Sequence, residues 1–232
     1  MFFGVSNLTK QGKNSVQWRV YLIEELKIII HHFEKYPLIT NKWADFKLFK
    51  QAVELVEQGE HLTNEGLLKL VAIKASMNRG LSDKLKENFT NITLISRPEV
   101  KNLEIKYPFW ITGFTDAEGC FFVVIKDSKK SKLGESVWLR FILSQHNRDE
   151  VLINNFMKYL NCGKYYPRSN KNYGELIVEK FSDITEIIIP FFDKYPLVGK
   201  KSKDFQDFKK VALLMKSKDH LTEEGLQEIK KN

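Results

Sequence analysis

The sequence has few of the residues and segments that define secreted, zinc-binding or membrane-spanning proteins. Its 232 residues include only two cysteines, Cys120 and Cys162, too few for a disulfide framework or a cysteine-rich zinc site. No apolar run approaches the roughly 20 residues of a membrane-spanning helix, so we expect no membrane partner. A phosphate-binding glycine loop and a Ser–His–Asp order are also missing. These absences favour a protein of a reducing compartment.

Arginine is scarce in an otherwise basic chain. Only six of the 37 basic residues are arginine, whereas lysine, asparagine and isoleucine, whose codons are AT-rich, are plentiful. This bias predicts an AT-rich gene, such as one in an organelle, whose product needs no targeting segment. The first residues match neither a secretory signal nor an arginine-rich transit peptide. The net charge of +8 makes an anionic partner the first expectation.

The chain repeats one pattern at a separation of 159 positions. The stretch from Ile28 (IIIHHFEKYPLITNKWADF) is matched by the stretch from Ile187 (IIIPFFDKYPLVGKKSKDF), and both continue to an HLT–GL sequence. Apolar residues at helical spacing predict a helix before KYPL, a second helix after it and a short capped helix after the threonine. The repeat therefore indicates two copies of one structural unit.

Strand patterns surround the repeated helices, but they are complete only in the second copy. The first copy has one predicted strand pair, Gly4–Asn7 and Val16–Tyr21, and nothing in it corresponds to Phe109–Leu160. We therefore expect a partial first repeat over residues 1–91, a linker over 92–108 and a fuller second repeat over 109–232. A helix and two strands are expected to be missing at the N-terminus of the first copy.

The segment with the clearest chemistry is Trp110–Gly119, WITGFTDAEG. Gly113 and Ala117 leave one helix face nearly bare, which suits a closely packed partner helix. Asp116 and Glu118 fall at the predicted C-terminus, where the helix dipole disfavours negative charge. A hard divalent cation would reverse that penalty, because it binds carboxylate and carbonyl oxygens.

Alternating residues after this helix predict a sheet with one apolar and one polar face. Phe121, Val123 and Ile125 share the inner face, so their neighbours point outward. Lysine, arginine, glutamine, serine and aromatic side chains on such a surface suit phosphates and base edges, so we expect double-stranded DNA as the partner. The predicted DNA-binding residues are Gln17, Arg19, Phe122, Val124, Lys126, Lys130, Lys132, Ser136, Trp138, Arg140, Ser144, Lys164, Tyr166, Arg168, Glu175 and Ile177.

Together these features resemble the LAGLIDADG homing endonucleases, in particular the monomeric two-motif type of fungal mitochondrial introns. The resemblance covers the motif, the strand ending in Ser144-Gln145-His146, the Asn161-Cys162-Gly163 turn and the KYPL helix pairs. It implies an α+β fold of two pseudo-symmetric αββαββα repeats whose saddle-shaped antiparallel sheets lie on DNA. It also implies an organelle-encoded, mitochondrial protein that hydrolyses phosphodiester bonds at specific sites.

The resemblance assigns roles to four residues. Glu118, with the carbonyl oxygen of Ala117, is implied to bind Mg²⁺ or another divalent cation, Gln145 to position water, and Lys180 to act as the basic catalytic residue. Only one motif is present, however, and Leu22 stands where the first copy would match Lys180. A truncated or decayed gene would fit this, and so would a complementing chain or self-association through the exposed motif helix. The alternative function is that of a non-catalytic nucleic-acid-binding protein such as an intron RNA maturase.

Overall fold

A computed structural model describes residues 3–5, 7–99 and 104–231 of the chain. The chain divides into two compact units, Met1–Asn102 and Leu103–Asn232, each with its own core. Among the described residues no helix is both long enough and apolar enough to cross a membrane.

The first unit is a two-stranded antiparallel sheet followed by helices. The pairing runs from Asn7 opposite Arg19 to Lys10 opposite Val16, so the prediction of a first strand at Gly4–Asn7 is wrong. Gly4 has a φ of +66°, which is incompatible with extended backbone. The elements are β1 (Asn7–Lys10), β2 (Val16–Arg19), α1 (Ile23–Lys35), α2 (Lys42–Glu57), a 3₁₀ turn (Glu60–Leu62), α3 (Asn64–Ser76) and α4 (Asp83–Asn88).

The core of this unit lies between α1 and α2. Ile30, Phe46 and Val53 are buried, and Phe33 and Phe49 pack against them. The apolar positions predicted at helical spacing therefore face one another, as an amphipathic pair requires.

A buried carboxylate holds the end of this unit together. Asp45 on α2 accepts hydrogen bonds from the backbone N–H of Asn78, at 3.0 Å, and from the Arg97 guanidinium, at 2.8 Å. Arg97 also donates to the carbonyl oxygens of Ser76 and Asn41. The first part of the segment predicted as a linker, 92–108, is thus fastened to the first unit.

The second unit is a four-stranded antiparallel sheet with strand order β3-β4-β6-β5 and helices packed on one face. Its described elements follow the predicted order of helix, strand pair, helix, strand pair and helices. They are α5 (Pro108–Glu118), β3 (Gly119–Asp127), β4 (Glu135–His146), a 3₁₀ turn (Asn147–Asp149), α6 (Glu150–Leu160), β5 (Lys164–Pro167), β6 (Tyr173–Val178), α7 (Phe181–Asp183), a π-helix (Ile184–Ile188), α8 (Ile189–Lys194), α9 (Lys201–Lys216), a 3₁₀ turn (Asp219–Leu221) and α10 (Glu223–Lys231).

Aromatic rings fill the space between the sheet and the helices. Phe121 on β3 lies 5.2 to 5.4 Å, centroid to centroid, from Phe141, Phe192, Phe205 and Phe208. Such edge-to-face and tilted contacts add to the free energy gained by burying the rings. The inner face predicted from the alternation of β3 and β4 is therefore the core face.

The helix that precedes the second KYPL sequence is wound differently from its counterpart α1. Pro190 stands where the first copy has His31, and the five-residue π-helical turn Ile184–Ile188 ends two residues before it. Proline lacks an N–H and its ring clashes with the carbonyl four residues earlier. The wider π turn accommodates the proline without breaking the helix.

Each unit contains the predicted threonine cap. The Thr63 hydroxyl oxygen accepts a hydrogen bond from the N–H of Gly66 at 3.0 Å, and Thr222 does the same for Gly225 at 3.1 Å. Both glycines lie against the preceding 3₁₀ turn, where no side chain would fit.

Candidate nucleic-acid interface and metal site

The motif helix α5 delivers Glu118 to the first residue of the central hairpin. Glu118 and Ala117 are exposed, and β3 starts at the next residue, Gly119. A Cβ on Gly119 would lie 2.6 Å from a methyl carbon of Thr115, so only glycine allows this direct change from helix to strand. The carboxylate therefore sits at the junction of α5 and the sheet, as predicted.

The exposed face of α5 matches the bare face predicted from the sequence. Phe109, Gly113 and Ala117, at positions i, i+4 and i+8, are all exposed. Within the described parts of the chain, a Cβ on Gly113 would meet no atom within 4 Å. The opposite side of the helix is packed, with Trp110 and Phe114 stacked on each other and both against Phe156.

Asp116 has a structural partner. Its carboxylate accepts hydrogen bonds from the backbone N–H groups of Val198 and Gly199, at 3.0 to 3.2 Å. One turn earlier, the Thr112 hydroxyl donates to the carbonyl oxygen of Tyr195 at 3.0 Å. Two side chains of α5, Thr112 and Asp116, thus hold the loop between α8 and α9.

The loop held by Asp116 leads into Lys201, the first residue of α9, which is half-buried. Burial raises the pKa of the Cys120 thiol, and the positive charge of Lys201 opposes that rise. Lys201 is therefore close enough to Cys120 for its charge to influence the thiol. Because Cys120 is two residues after Glu118, the Lys201 side chain lies at the same end of the sheet as the Glu118 carboxylate. Sequence reasoning missed Lys201, although its counterpart in the repeat, Lys42, is also a lysine.

Gln145 is brought to the Glu118 end of the sheet, and Lys180 is not. Gly119 pairs with Leu143 on β4. Gln145 is two residues after Leu143, so its side chain lies on the same face of β4 as that of Leu143. Gln145 pairs with Gly174 on β6. The distance along β6 from Gly174 to its last residue, Val178, is about 13 Å. Lys180 follows the end of this strand. It is exposed, and its Nζ lies 3.3 Å from the carboxylate of Asp183.

A metal ion at this site would find only part of a ligand set in this chain. Within residues 3–5, 7–99 and 104–231, no three His, Cys, Asp or Glu side chains converge into a cation site. Glu118 and the Ala117 carbonyl supply hard oxygen atoms at a helix C-terminus, where the dipole is negative. These donors fit Mg²⁺ or Ca²⁺ if phosphate oxygens and water complete the shell, which is the usual arrangement for Mg²⁺.

The outward face of the second unit's sheet carries the predicted DNA-binding side chains as cross-strand pairs. Phe122 lies opposite Arg140, Val124 opposite Trp138, and Lys126 opposite Ser136. Phe122 is 50% exposed although it is apolar. Exposed members of the predicted set are Arg19, Phe122, Lys126, Lys130, Lys132, Lys164, Tyr166 and Arg168, and half-buried members are Gln17, Val124, Ser136, Trp138, Arg140, Ser144 and Glu175.

Ile177 is the exception, because it is only 9% exposed and cannot present its side chain to a partner. Its strand β6 is an interior strand, with Ile142 on one side and Lys164 on the other. Long side chains at Glu175 and Glu179 flank it along the strand. Ile177 is therefore an apolar spacer on the outward face rather than a contact residue.

In the first unit, Gln17 and Arg19 share one face of β2. Arg19 donates to the Gln17 side-chain oxygen and, at 3.1 Å, to the Tyr21 hydroxyl. The other face is also open, since Val16 and Trp18 are exposed. The two polar side chains are thus placed together as predicted.

The hairpin turn between β3 and β4 presents unpaired positive charge. Lys126, Lys130 and Lys132 are exposed, and no described carboxylate forms an ion pair with any of them. The turn itself is fixed by backbone hydrogen bonds. The Ser128 N–H donates to the Gly134 carbonyl oxygen at 2.7 Å, the Ser131 N–H to that of Ser128 and the Gly134 N–H to that of Ser131, both at 3.1 Å. A fixed basic turn at the edge of a polar sheet face is typical of surfaces that bind nucleic acid.

Comparison with known proteins identifies the class that this fold and surface define. A family profile described as LAGLIDADG endonuclease matches residues 1–53 and 111–212. The chain belongs to this family. The predicted α+β fold with antiparallel sheets is confirmed.

One relative, Probable intron-encoded endonuclease 3 of Neurospora crassa, is 45% identical over 221 residues, which make up 94% of this chain and 41% of that protein. The chain thus spans less than half the length of this curated relative. The prediction that a helix and two strands are missing from the first copy stays a prediction.

Two solved DNA complexes have the same fold. The I-SmaMI LAGLIDADG homing endonuclease bound to cleaved DNA has a TM-score of 0.96 at 42% identity, covering 99% of this chain and 77% of that one. I-SmaMI has also been solved on uncleaved target with calcium ions and as lysine-to-alanine variants at two positions. I-CpaMI bound to uncleaved DNA has a TM-score of 0.91 at 46% identity and covers 99% of this chain and 79% of that one.

Proposed function

We propose that this chain is a site-specific DNA endonuclease that hydrolyses phosphodiester bonds in double-stranded DNA. The observation that carries the proposal is the position of Glu118, exposed at the end of α5 where the sheet with the basic outward face begins. DNA lying on that face would bring a phosphate to the carboxylate. The DNA-bound state of I-SmaMI and I-CpaMI supports this arrangement.

In this proposal Glu118 and the carbonyl oxygen of Ala117 hold a divalent cation. When bound, such an ion lowers the pKa of water and neutralises charge on the scissile phosphate. The calcium ions in one I-SmaMI complex support a divalent cation, and we propose Mg²⁺ as the working ion. Gln145, at the same end of β4, would orient the attacking water by hydrogen bonding.

We further propose Lys201, with Lys42 in the first unit, as the basic residues instead of Lys180. The two lysines replaced in the I-SmaMI variants are 159 positions apart, and so are Lys42 and Lys201. Asp116 holds the loop that leads into Lys201, whereas Lys180 points its charge at Asp183 at the far end of β6. A lysine near the reacting phosphate would stabilise the negative charge that grows there.

The genomic setting follows from the same resemblance. The intron-encoded relative and the abundance of lysine, asparagine and isoleucine, whose codons are AT-rich, support an origin in an intron of a mitochondrial gene. A second candidate function is nucleic-acid binding without cleavage, as in an intron maturase. It is favoured by the engagement of Asp116 with backbone N–H groups, which leaves Glu118 as the exposed motif carboxylate, and by the lack of a converged acid cluster among the described residues.

The test is cleavage of a plasmid library of candidate sites by the wild-type chain and by Glu118→Gln, with Mg²⁺ and with EDTA. We expect Mg²⁺-dependent cutting that Glu118→Gln abolishes while DNA binding is retained, because the substitution removes charge and keeps shape. Glu223→Gln, an exposed acid at the start of α10, is the matched control. Cutting in EDTA or full activity of Glu118→Gln would refute the site, and DNA binding with no cutting of any library member would favour the second function.

A further inference from the structure

Two carboxylates on the outward sheet face are each paired with an arginine. Arg140 on β4 donates from Nη2 to Oε2 of Glu179 at 2.7 Å and from Nε to the same oxygen at 3.1 Å. Arg168, after β5, is ion-paired with Glu175 on β6. The Ser144 hydroxyl donates to the other oxygen of Glu175 at 3.4 Å, and the Glu175 side chain is only 14% exposed.

The stability of the fold does not account for these pairs. Arg140 and Glu179 are partly exposed, and a solvent-exposed ion pair contributes about 0–1 kcal/mol, because solvent screens it and two long side chains must be ordered. The Glu175 carboxylate is mostly buried, where an ion pair gains little over apolar residues of similar size, because both charges must leave water. Negative charge on a surface that binds DNA also opposes phosphate binding. A carboxylate at such a place is better explained by base recognition, where it accepts a hydrogen bond from an amino group.

The geometry of the first pair leaves the arginine ready to donate. Glu179 occupies Nε and one side of Nη2, and among the described residues no acceptor is bonded to Nη1 of Arg140. A guanidinium held in this way has lost much of its rotational freedom before a partner arrives. In the major groove, guanine offers two acceptors to arginine and its paired cytosine offers an amino donor to a carboxylate. One Arg–Glu pair can therefore satisfy both bases of a G·C pair.

Resting on the proposed function, we propose that Glu179 and Glu175 determine specificity by this means. Each glutamate positions its arginine on a guanine and accepts a hydrogen bond from the N4 amino group of the paired cytosine. The two clusters are four residues apart along both chain segments: Arg140 and Ser144 lie on β4, Glu175 lies on β6, and Glu179 directly follows the last residue of β6. At about 3.3 Å per residue this is about 13 Å, the rise of about four base pairs.

Ile177 separates the two clusters. Ile177 lies on β6, two residues after Glu175 and two residues before Glu179. Its partner across the strands is Ile142 on β4, so both side chains at this level of the sheet are apolar. Ile177 and Ile142 thus separate the two Arg–Glu pairs along β6 and β4 with apolar side chains. The target should therefore contain two G·C pairs about four base pairs apart within the half-site that the second unit covers.

The experiment measures the base preference of binding, not cleavage, by selecting bound duplexes from a randomised site library and sequencing them. The variants are Glu179→Gln, Glu175→Gln and Arg140→Ala, with Glu186→Gln as control, which removes the same charge from the exposed surface of the helical layer. Thermal melting checks that each variant folds.

We expect Glu179→Gln to lower the preference for one G·C pair about tenfold and to strengthen binding to random DNA. Glu175→Gln should do the same at a second pair about four base pairs away. The double variant Arg140→Ala/Glu179→Gln should have the same base preference as Arg140→Ala alone, because the two residues contact the same G·C base pair. The control should leave every base preference unchanged.

Unaltered base preferences in both glutamine variants, with DNA binding intact, would overturn this inference and leave the proposed function standing. A uniform loss of affinity across all sequences would also overturn it, because that outcome means that the glutamates only support the fold. No binding of wild-type protein to any duplex would contradict the proposed function itself.

Discussion

Asp116 on the motif helix accepts two hydrogen bonds from the single backbone N–H of Gly199, at 3.2 Å to Oδ1 and 3.1 Å to Oδ2. A Cβ on Gly199 would lie 2.9 Å from the same Oδ1 atom. The carboxylate and the loop therefore fit each other with no room for a side chain. This contact joins the helix that carries Glu118 to the loop that leads into Lys201, the first residue of α9.

Replacing Asp116 should weaken both the fold and cleavage. In Asp116→Ala the N–H groups of Val198 and Gly199 lose their acceptor, so we expect unfolding to become easier by about 1–3 kcal/mol. Lys201 would also be less well placed, so cleavage should fall by more than DNA affinity. Asp116→Asn, which keeps one acceptor oxygen, should restore part of the activity. Cleavage rates and affinities measured below the melting temperature check this.

Asp193→Ala is the control for that prediction, because the partly exposed Asp193 carboxylate forms an ion pair with Lys209 and, among the described residues, accepts hydrogen bonds from that lysine and from no loop. Equal effects of the two alanine substitutions on cleavage would show that the Asp116 contact has no special role.

The Asp45 network predicts a pH dependence of the first unit. Burial opposes ionisation of Asp45, but the hydrogen bonds from Arg97 and the Asn78 N–H outweigh it and hold the pKa of Asp45 below its usual 3.8. A carboxyl group with a lowered pKa stabilises the fold above its unfolded-state pKa, and this stabilisation is lost as the pH falls through the folded-state pKa. Asp45→Asn should therefore cost about 1–3 kcal/mol at pH 7 and progressively less below about pH 4.

Hydrogen exchange of the α2 amides measures that difference in the intact chain. Asp83→Asn removes an exposed carboxylate from α4 and should have little effect at either pH. A cost of Asp45→Asn that stays the same from pH 7 to pH 3 would contradict the ion-paired state of Asp45.

The two cysteines should differ in reactivity. Burial raises the pKa of the Cys162 thiol to about 11, from an ordinary value of 9.0. A rise of about two units in pKa lowers the fraction of thiolate at a given pH about 100-fold, and the thiolate is the reactive form. In native protein at pH 8, iodoacetamide should therefore modify the half-buried Cys120 well before Cys162, as peptide mass spectrometry would show. Labelling of Cys162 at the rate found in urea would contradict its burial.

The basic hairpin turn predicts salt-sensitive binding. Several phosphate contacts should give a log–log slope of affinity against salt of order −5. Lys130→Gln or Lys132→Gln should reduce the slope by about 1 and weaken binding equally for all sequences. Lys203→Gln, on the exposed surface of α9, should leave the slope unchanged. A flat salt response of the wild-type chain would show that the outward face does not contact phosphates.

The features that could be predicted from the sequence are those that local periodicity encodes. Alternation of apolar residues places Phe121 inside and Phe122 outside, because strand side chains alternate by geometry. The cap at Thr63 and the junction at Gly119 depend on neighbours within a few residues. The repeat of the KYPL sequence and its flanking apolar residues predicted the helix pair in each copy.

The features that sequence reasoning missed depend on contacts between distant residues. Arg97 meets Asp45 across 52 positions, and no local pattern marks a polar pair of that kind. Ile177 has the parity of an outward residue, and only the neighbouring strands reveal that it is buried. Lys201 could have been found, since its repeat partner Lys42 carries the same side chain, whereas Lys180 has Leu22 as its counterpart.

The two glycines that follow the threonine caps limit how far this sequence can be re-engineered. A methyl group on Gly66 would lie 1.9 Å from the carbonyl oxygen of Glu60, and one on Gly225 would lie 2.1 Å from that of Asp219. Tightly packed backbone cannot move aside as a flexible side chain can, so any substitution displaces the turn. In a saturation library selected for a new DNA target, both codons should stay invariant while the outward strand positions diversify. The read counts at the Gly66 and Gly225 codons would then measure selection for folding, and those at the outward strand positions would measure selection for the DNA target.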